Sequence, residues 1–386
     1  MFLLALLRGI LTLAAHAVFC FTLLAQGFTQ QYGGALAQDG VGIALSNGRY
    51  VVATTVFDST AQRHRARLLV TDSDGQVISW NELPVAGTVF LQAAQASADG
   101  SIFLAGSVIV PESSEHDGLV MKLDAAGSIA WVAQPERLGD EQYFDIITTP
   151  FGAVACGLER TGADHNAWIS GFNSDGGTMW NTSTGTSLDE EAYGLALNQT
   201  GIMITGRQMN FGGTTDAFFA ALDLNGNILM TTSWGGAANE VGRAIVSAGA
   251  GQFVMAGATN SYGMFDNTEQ RIKHNVYLIG IAFSGDTLWT RSVGDTLFDR
   301  GAWCLDRADN GDLIIGGERY TRGSSDALAQ RSDASGTLIW ERTFDTGKEE
   351  KLLDLRVLSD GLVATGWSFT ELSRQVILVR RNASGD

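Results

Sequence analysis

The chain has 386 residues, of which 47 are glycine and 4 are proline, and 45% of its side chains are hydrophobic. This length is enough for two or three ordinary domains or for one large repeat architecture, and the hydrophobic fraction excludes global disorder. The 25 basic and 42 acidic side chains give a net charge of -17. Such a charge repels phosphate backbones and anionic lipid surfaces, so we expect no nucleic-acid partner.

Residues 1–25 form an apolar segment with a single basic residue, Arg8, near its start. The segment leads straight into Gln26-Gly27, which is typical of a cleaved secretory signal. A retained anchor helix is the alternative, but the apolar run 10–25 has 16 residues, slightly fewer than the roughly 17 that a membrane span needs. We therefore predict a signal peptide at 1–25 and a mature domain at 26–386 without a membrane span. The protein is expected to be exported, to the periplasm, the outer membrane or the exterior.

A glycine turn followed by apolar residues, and often by tryptophan, recurs along the chain. Its copies are SDGQVISW (73–80), AAGSIAW (125–131), SDGGTMW (174–180), LNGNILM (224–230), FSGDTLW (283–289) and ASGTLIW (334–340). Their turn glycines are 52, 49, 50, 59 and 51 residues apart, and Gly385 follows 49 residues later. A second series, such as ADGSIFLAG (98–106) and QTGIMITG (199–206), falls midway between these copies. The sequence is therefore a repeat of about 50 residues.

Each repeat holds four short apolar runs separated by Asn-Gly, Asp-Gly or Ser-Gly turns, the pattern of antiparallel hairpins. In the fourth repeat we predict strands at 192–198, 202–207, 217–222 and 227–233. Four antiparallel strands per repeat make one blade of a β-propeller, and blades stack sideways because one blade cannot bury both faces. We predict an all-β fold, a seven-bladed β-propeller.

The two ends of the chain are complementary fragments of one repeat. The last repeat stops at 383–386, where a fourth strand should begin, and residues 27–34 (GFTQQYGG) match the fourth strand and turn at 230–236. Seven independent hairpin units would explain the spacing but not these ends. We therefore expect the N-terminal strand to complete the last blade, close the ring and cover an exposed sheet edge.

Several pieces of the repeat carry a resemblance to a known group. The pieces are Tyr-Gly-Gly (32–34), Trp-Gly-Gly (234–236), DGLVMKLD (117–124) and the repeated tryptophans. Over 28–386 the chain resembles exported bacterial β-propeller repeat proteins of the Bacteroidota type, which implies the fold and export but no particular activity. The segments DAAG (124–127) and DASG (333–336) are distantly similar to quinoprotein repeats. Those enzymes use eight blades and usually an adjacent-cysteine disulfide, neither of which is present here, so we expect no cofactor.

Two sets of residues recur in the blades and have competing interpretations. The tryptophans of the outer strands are expected to pack between blades, whereas Trp303, on an inner strand, is a candidate for the central channel. Acidic residues precede the inner strands, and they either form a ring at the channel mouth that binds a cation or a basic segment, or accept backbone N–H bonds in their own turns. We favour the second interpretation because the position is repeated. The acidic candidates are Asp39, Glu141, Glu191, Glu240, Asp299 and Glu350.

The segment 258–275 in the fifth repeat is about ten residues longer than its equivalents. Extra loop length often carries recognition, so we predict a binding loop, with a disordered insertion as the alternative. Its candidate contact residues are Tyr262, Met264, Phe265, Arg271 and Lys273. The sequence predicts no metal site.

No Gly-x-Ser-x-Gly, His-Glu-x-x-His or Walker-type motif is present. The paired acids at 189–191 and 349–350 could serve glycoside chemistry, but their repeated position explains them without it. We therefore expect a protein without enzymatic activity that acts as a protein-interaction or scaffold module in the bacterial cell envelope. The alternative is a propeller that binds or processes a glycan at its channel mouth.

Overall fold

The computed structural model describes residues 27–34, 36–135, 139–160, 162–321, 323–346, 349–371 and 373–386. The predicted signal peptide lies outside these residues. The described residues form 30 β-strands arranged in seven four-stranded antiparallel sheets and one small hairpin. Within these ranges, no helix has the length and apolar character needed to cross a membrane.

The seven sheets are the blades of a β-propeller, and each blade uses four strands that we name a to d from the innermost to the outermost. The first three blades follow the chain directly. Blade 1 contains β2 (Gln38–Ser46), β3 (Arg49–Asp58), β4 (Arg63–Thr71) and β5 (Val77–Glu82). Blade 2 contains β6 (Thr88–Ala96), β7 (Ile102–Ile109), β8 (Asp117–Leu123) and β9 (Ile129–Ala133). Blade 3 contains β10 (Asp140–Thr149), β11 (Gly152–Arg160), β12 (His165–Asn173) and β13 (Thr178–Thr184).

The remaining blades include the insertion and the ring closure. Blade 4 contains β14 (Glu190–Asn198), β15 (Gly201–Met209), β16 (Thr215–Leu222) and β17 (Ile228–Trp234). Blade 5 contains β18 (Glu240–Gly249), β19 (Gln252–Thr259), β22 (Asn275–Ala282) and β23 (Thr287–Val293), with the hairpin β20 (Phe265–Asp266) and β21 (Arg271–Ile272) between its b and c strands. Blade 6 contains β24 (Asp299–Arg307), β25 (Leu313–Thr321), β26 (Ser324–Ser332) and β27 (Leu338–Phe344). Blade 7 contains β28 (Glu350–Leu358), β29 (Gly361–Phe369), β30 (Arg374–Asn382) and β1 (Phe28–Tyr32).

The predicted seven-bladed propeller and its closure are confirmed. Strand β1 pairs with β30 from Phe28 opposite Arg380 to Tyr32 opposite Val376, so the two ends of the chain share one blade. The strands predicted for the fourth repeat match β14 to β17 to within two residues at each end. The b–c and d–a loops lie on one side of the ring, which we call the loop face.

Local sequence explains why the strands end where they do. The turn glycine of each c–d hairpin has a φ of 80° to 92°, in the left-handed region that favours glycine. In blade 4, for example, Gly226 donates its N–H to the Asp223 carbonyl, and the Asp223 carboxylate accepts the N–H of Asn225 and Asn227. The repeated Asp/Asn-x-x-Gly sequences therefore supply both requirements of the turn, a side-chain oxygen that accepts backbone N–H groups and a glycine with positive φ.

The core is divided among the interfaces between neighbouring blades. Seven clusters of buried apolar residues each join the facing sheets of two adjacent blades. The outer-strand tryptophans cover these clusters: the Nε1–H groups of Trp131 and Trp180 donate to the Ser174 and Leu224 carbonyls of the next blade at 2.9 and 3.2 Å. Their recurrence therefore has a structural cause, as expected from the sequence.

Candidate functional site

Each of the seven inner strands carries a β-bulge at the same register position. A bulge adds one unpaired residue and changes the direction of its side chain. All seven added residues line the central channel, and we call them the bulge ring: Val41, Gln92, Phe144, Tyr193, Arg243, Trp303 and Leu353.

The bulges explain the glycine that closes the apolar run of the second strand in most repeats. In blade 4, Gly206 pairs with Ala192, and a Cβ atom on Gly206 would lie 1.7 Å from the carbonyl oxygen of Glu191. Equivalent glycines in six blades show the same approach, at 1.7 to 2.0 Å from an inner-strand carbonyl: Gly106, Gly157, Gly206, Gly257, Gly317 and Gly366. Because no side chain fits there, these glycines help to position the bulge ring.

The channel encloses a cavity of about 600 Å³ that residues from all seven inner strands line. The bulge ring forms the part of this cavity nearest the loop face. Further along the strands, the wall includes small and aliphatic side chains, among them Ala94, Leu195, Ala244 and Leu305. A cavity of this volume is within the range of small-molecule sites.

Aromatic and cationic side chains alternate along one side of the bulge ring. The Arg243 guanidinium lies 4.3 Å from the ring centroids of both Tyr193 and Trp303, and the Lys351 ammonium lies 4.1 Å from that of Trp303. Phe144 extends the row, with its ring centroid 5.4 Å from that of Tyr193. We call these five residues the collar, and its stacked rings and cations hold one another in place.

The cations around the collar differ in whether they have a carboxylate partner. Lys351 pairs with Glu318 at 2.9 Å, and Arg207 pairs with Glu191 at 2.6 Å. Among the described residues, no carboxylate lies at ion-pairing distance from Arg243, although its side chain lines the cavity. Arg243 therefore brings an uncompensated positive charge to the channel.

Burial governs the electrostatics of this region. It lowers the pKa of Arg243, and the neighbouring Arg207 cation acts in the same direction, but a guanidinium stays protonated in proteins. Burial and the negative charge of the nearby Glu191 also raise the pKa of Tyr193 to about 12. The Tyr193 hydroxyl donates a hydrogen bond to the Glu191 carboxylate. Burial opposes the ionisation of Glu191, yet hydrogen bonds from Arg207 and Tyr193 outweigh it and lower its pKa. The Arg207–Glu191 pair is thus ionised, and the neighbouring Arg243 has no such partner among the described residues.

Beyond the bulge ring, the channel wall carries a second group of charges that we call the deep layer: Asp145, Asp306, Arg307, Asp354 and Arg356. Each carboxylate accepts a backbone N–H from the inner strand of the next blade. Asp145 accepts from Leu195 at 3.0 Å, Asp306 from Val357 at 2.8 Å and Asp354 from Ile43 at 2.8 Å. These carboxylates therefore link neighbouring blades around the channel.

The deep layer has more carboxylates than cations. Arg356 pairs with Asp354 at 2.5 Å and reaches the Ala94 carbonyl of blade 2 at 2.7 Å. Asp145 and Asp306 have no ion-pair partner among the residues that the structure describes. Burial raises the pKa of Asp145 to about 7 in spite of its two backbone hydrogen bonds. The deep layer therefore has three carboxylates and two guanidinium groups, whereas at the collar Arg243 has no carboxylate partner among the described residues.

Sequence reasoning identified one member of the collar, since Trp303 lines the channel. It missed Phe144, Tyr193, Arg243, Lys351 and the deep-layer carboxylates. Aligning the inner strands by the glycine that they face would have found the first three, because each of them is the added residue of its bulge.

The six acidic candidates do not form an open ring at the channel mouth. All except Asp39 are 0 to 5% exposed. Glu240 accepts the Gly236 N–H at 2.7 Å and the Thr259 hydroxyl at 2.6 Å, and Glu350 accepts bonds from Thr346 and Ser368. Asp39 pairs with Arg374 at 3.2 Å. Glu240 and Glu350 thus accept hydrogen bonds in their own interblade turns, whereas Glu191 and Asp299 pair with Arg207 and Arg271.

The insertion in blade 5 folds as the hairpin β20–β21. Tyr262, Met264 and Phe265 are about half exposed, at 47, 52 and 49%. Arg271 and Lys273 instead form ion pairs within the protein: Arg271 with Asp299, and Lys273 with Asp266 and Glu269. The five predicted contact residues therefore divide into three exposed side chains and two that anchor the hairpin.

The anchoring network centres on the buried carboxylate of Asp299. Both Nη atoms of Arg271 donate to it, at 2.8 and 2.5 Å, and the His274 N–H donates at 2.8 Å. Lys273 is 2% exposed, and its ammonium lies 3.1 Å from both Asp266 and Glu269. The hairpin is thus an ordered part of blade 5 rather than a disordered insertion.

One group of three carboxylates has the spacing needed to hold a metal ion. Ligand oxygens of Asp326, Asp345 and Glu350 all lie within 4.8 Å of one another. Arg319 already pairs with Asp326 at 2.5 Å, and the Ser368 hydroxyl donates to Glu350 at 3.2 Å. Because these groups have protein partners, we assign no ion to the group.

Comparisons with known proteins identify the fold. No protein-family model and no curated protein matches the chain. A solved puromycin hydrolase mutant is 15% identical with a TM-score of 0.56, over 94% of this chain and 53% of the other. The acylaminoacyl peptidase of Pyrococcus horikoshii is 10% identical with a TM-score of 0.52, over 89% and 52%. The β-propeller domain of the Trilobed protease from Pyrococcus furiosus is 9% identical with a TM-score of 0.49, over 91% and 93%.

The chain spans about half the length of the puromycin hydrolase and of the acylaminoacyl peptidase. Both proteins are enzymes, so the expectation that a propeller of this kind has no enzymatic activity is wrong. A missing short motif is weak evidence, because a channel site takes its residues from separate blades. At these identities, the likeness establishes a distant relation in fold and nothing about the ligand. The chain is a seven-bladed β-propeller with distant structural neighbours that include enzymes.

Proposed function

We propose that the protein binds a small organic anion in its central channel, with Arg243 holding the anionic group. The observation that carries this proposal is the position of Arg243, which lines the cavity between Tyr193 and Trp303 without a carboxylate partner among the described residues. A guanidinium presents several N–H donors in one plane, and this arrangement matches carboxylate and phosphate groups. Partial exclusion of water strengthens such a contact.

The collar is less suited to stacking against a neutral sugar. Cations from two neighbouring blades, Arg243 and Lys351, already lie over the Trp303 ring. Its Nε1–H donates to Glu318 at 3.1 Å. A glycan would therefore have to displace these contacts to use Trp303, which favours an anionic ligand over a neutral carbohydrate.

Binding of matched probes to the purified chain tests this proposal. We expect benzoate, hexanoate and glucuronate to bind more tightly than benzamide, hexanamide and glucose in isothermal titration calorimetry. Arg243→Gln should weaken anion binding roughly 10- to 100-fold, because a hydrogen bond to a charged group contributes about 1.5 to 3 kcal/mol. Arg49→Gln, an exposed arginine at the far end of blade 1, is the control and should leave binding unchanged. Equal binding of anions and neutral probes, or full binding by Arg243→Gln, would contradict the proposal.

The blade 5 hairpin supports a second candidate function. Tyr262, Met264 and Phe265 are exposed on the loop face, while the Asp299 network keeps their hairpin ordered. Soft and aromatic side chains on an ordered support can anchor a protein partner with little loss of entropy. The apolar N-terminal segment and the resemblance to exported repeat proteins support a location in the bacterial cell envelope for this contact.

A triple substitution tests the docking function. A partner protein that cross-links to the unmodified chain in its native host should no longer cross-link to a variant in which three side chains are changed to serine. The changed residues are Tyr262, Met264 and Phe265. The double change Val77→Ser and Ile78→Ser removes comparably exposed apolar side chains, at 48 and 47%, from the outer strand of blade 1 and serves as the control. Retention of the partner by the triple variant, or equal loss in both variants, would reject docking at the hairpin.

A further inference from the structure

We infer that the channel ligand is a zwitterion whose carboxylate binds Arg243 and whose ammonium group faces Asp145 and Asp306. This inference rests on the proposed function, because it accepts Arg243 as the anion site. It adds the chemical class of the other end of the ligand. The juxtaposition that supports it is Arg243 at one end of the cavity and the carboxylates of Asp145 and Asp306 further along the same wall.

The two ends of the cavity repel different ligands. At the collar, the unpaired Arg243 charge repels an amine, and Lys351 lies beside the same Trp303 ring. In the deep layer, Arg356 is bonded to Asp354, and Arg307 makes no ion pair with Asp145 or Asp306, so these two carboxylates have no ion-pair partner among the described residues. A simple anion that fills the cavity meets these carboxylates, and a simple amine meets Arg243. A ligand with both charges is complementary to the two ends.

The wall between the two ends suits a short apolar spacer. Ala244 and Leu305 follow the bulge ring on their strands, and Leu195 and Ala196 line the same wall on the adjacent blade 4. Asp306 lies three residues beyond Trp303 on β24, which corresponds to about 10 Å along a strand. Asp145 follows Phe144 directly and lies nearer to the collar. A spacer of several methylene groups can therefore bring an ammonium group within reach of one carboxylate or the other.

Neighbouring groups leave these carboxylates open to such a ligand. Asp145 accepts the N–H groups of Leu195 and Ile146, and Asp306 accepts those of Val357 and Arg307. These bonds hold the carboxylates in place and leave both without an ion-pair partner among the described residues, and an ammonium group beside Asp145 would favour its ionised form. Each carboxylate oxygen can accept a further bond, so a bound ammonium group would not have to displace the backbone contacts.

Isothermal titration calorimetry with matched small probes tests the inference. The probes are γ-aminobutyrate and 6-aminohexanoate as zwitterions, hexanoate as the anion and hexylamine as the amine. We expect at least one zwitterion to bind ten times or more as tightly as hexanoate, and hexylamine to bind most weakly. In the double variant Asp145→Asn and Asp306→Asn, the preference for the zwitterion over hexanoate should fall below threefold. In Arg243→Gln, binding of both the zwitterion and hexanoate should weaken.

The outcomes separate the inference from the function on which it rests. If hexanoate binds as tightly as both zwitterions, the inference is wrong and the anion site stands. If no probe binds, both are wrong. The comparison of probes on the unmodified chain does not depend on any variant folding correctly. Asp74→Asn, an exposed carboxylate in a blade 1 turn, is the control for a lost negative charge and should keep the full preference.

Discussion

A chain that begins at residue 33, and so lacks β1, should lose at least about 4 kcal/mol of its free energy of unfolding. Tyr32 is 8% exposed, and its hydroxyl donates to the Gly75 carbonyl of blade 1 at 2.6 Å. Its loss uncovers Val376 and Leu378, both fully buried, and removal of a buried aromatic side chain alone costs about 3 to 5 kcal/mol. Strand β30 would also become an exposed edge that pairs with other chains. Urea denaturation and size-exclusion chromatography measure the two effects.

The ends of the chain provide a matched control for this deletion. Gly27 lies against Asp386, since a Cβ atom on Gly27 would be 2.7 Å from the Asp386 carbonyl oxygen. Residues 27–32 can therefore be moved from the start of the chain to follow Asp386, where β1 can still pair with β30. This rearranged chain should recover most of the lost stability. If it is as unstable as the deletion, or if the deletion has no effect, closure by β1 is not what stabilises the ring.

The second large effect is expected at Asp299, where Asp299→Ala should cost about 3 kcal/mol at neutral pH. The carboxylate is fully buried, and its removal takes an anion away from Arg271 and the buried Lys273. Breaking a buried ion pair by removing one partner costs about 3 to 5 kcal/mol. Glu82→Ala is the control, because Glu82 makes an exposed pair with Arg65, and such pairs contribute at most about 1 kcal/mol. Equal losses in the two variants would contradict the anchoring role of Asp299.

Acid provides an independent test of the same network. Burial opposes the ionisation of Asp299, but hydrogen bonds from Arg271 and His274 outweigh it and hold its pKa at about 2, below the ordinary value of an aspartate. The unfolded chain therefore takes up the proton first as the pH falls. The contribution of Asp299 is complete above about pH 4 and is lost towards pH 2, by up to about 1.4 kcal/mol per pH unit. The stability difference between the native chain and Asp299→Ala should shrink over this range in urea denaturation, and a constant difference would argue against it.

A search for short catalytic motifs is a poor test of enzymatic activity for this fold. Short catalytic motifs place their residues on one turn or helix, whereas a propeller channel takes single residues from strands about 50 residues apart. Phe144, Tyr193, Arg243 and Trp303 lie on four different blades and meet only when the ring has closed. The lack of a motif therefore says little about what the channel can do.

The blade 5 insertion shows the same limit for surface residues. Its length and composition identified Tyr262, Met264 and Phe265 as exposed side chains. The same reasoning placed Arg271 and Lys273 beside them as contacts. Asp299 lies on the next blade, and Arg271 and Lys273 turn towards its carboxylate instead of facing the solvent. Whether a charged side chain faces a partner or its own protein depends on which opposite charges the fold brings close.

The sequence by itself determined the number of blades, their strands and the closure by β1. These features depend on local signals, namely alternating apolar residues and turn glycines with positive φ, which repeat seven times and reinforce one another. Only the tertiary structure decided which residues share the channel and which charges remain unpaired. Arg243 and Asp145 have unremarkable neighbours in sequence. Their opposite roles arise because the closed ring brings distant side chains from all seven inner strands into one cavity. Burial in this cavity strengthens the attraction of an unpaired charge for a ligand of opposite charge.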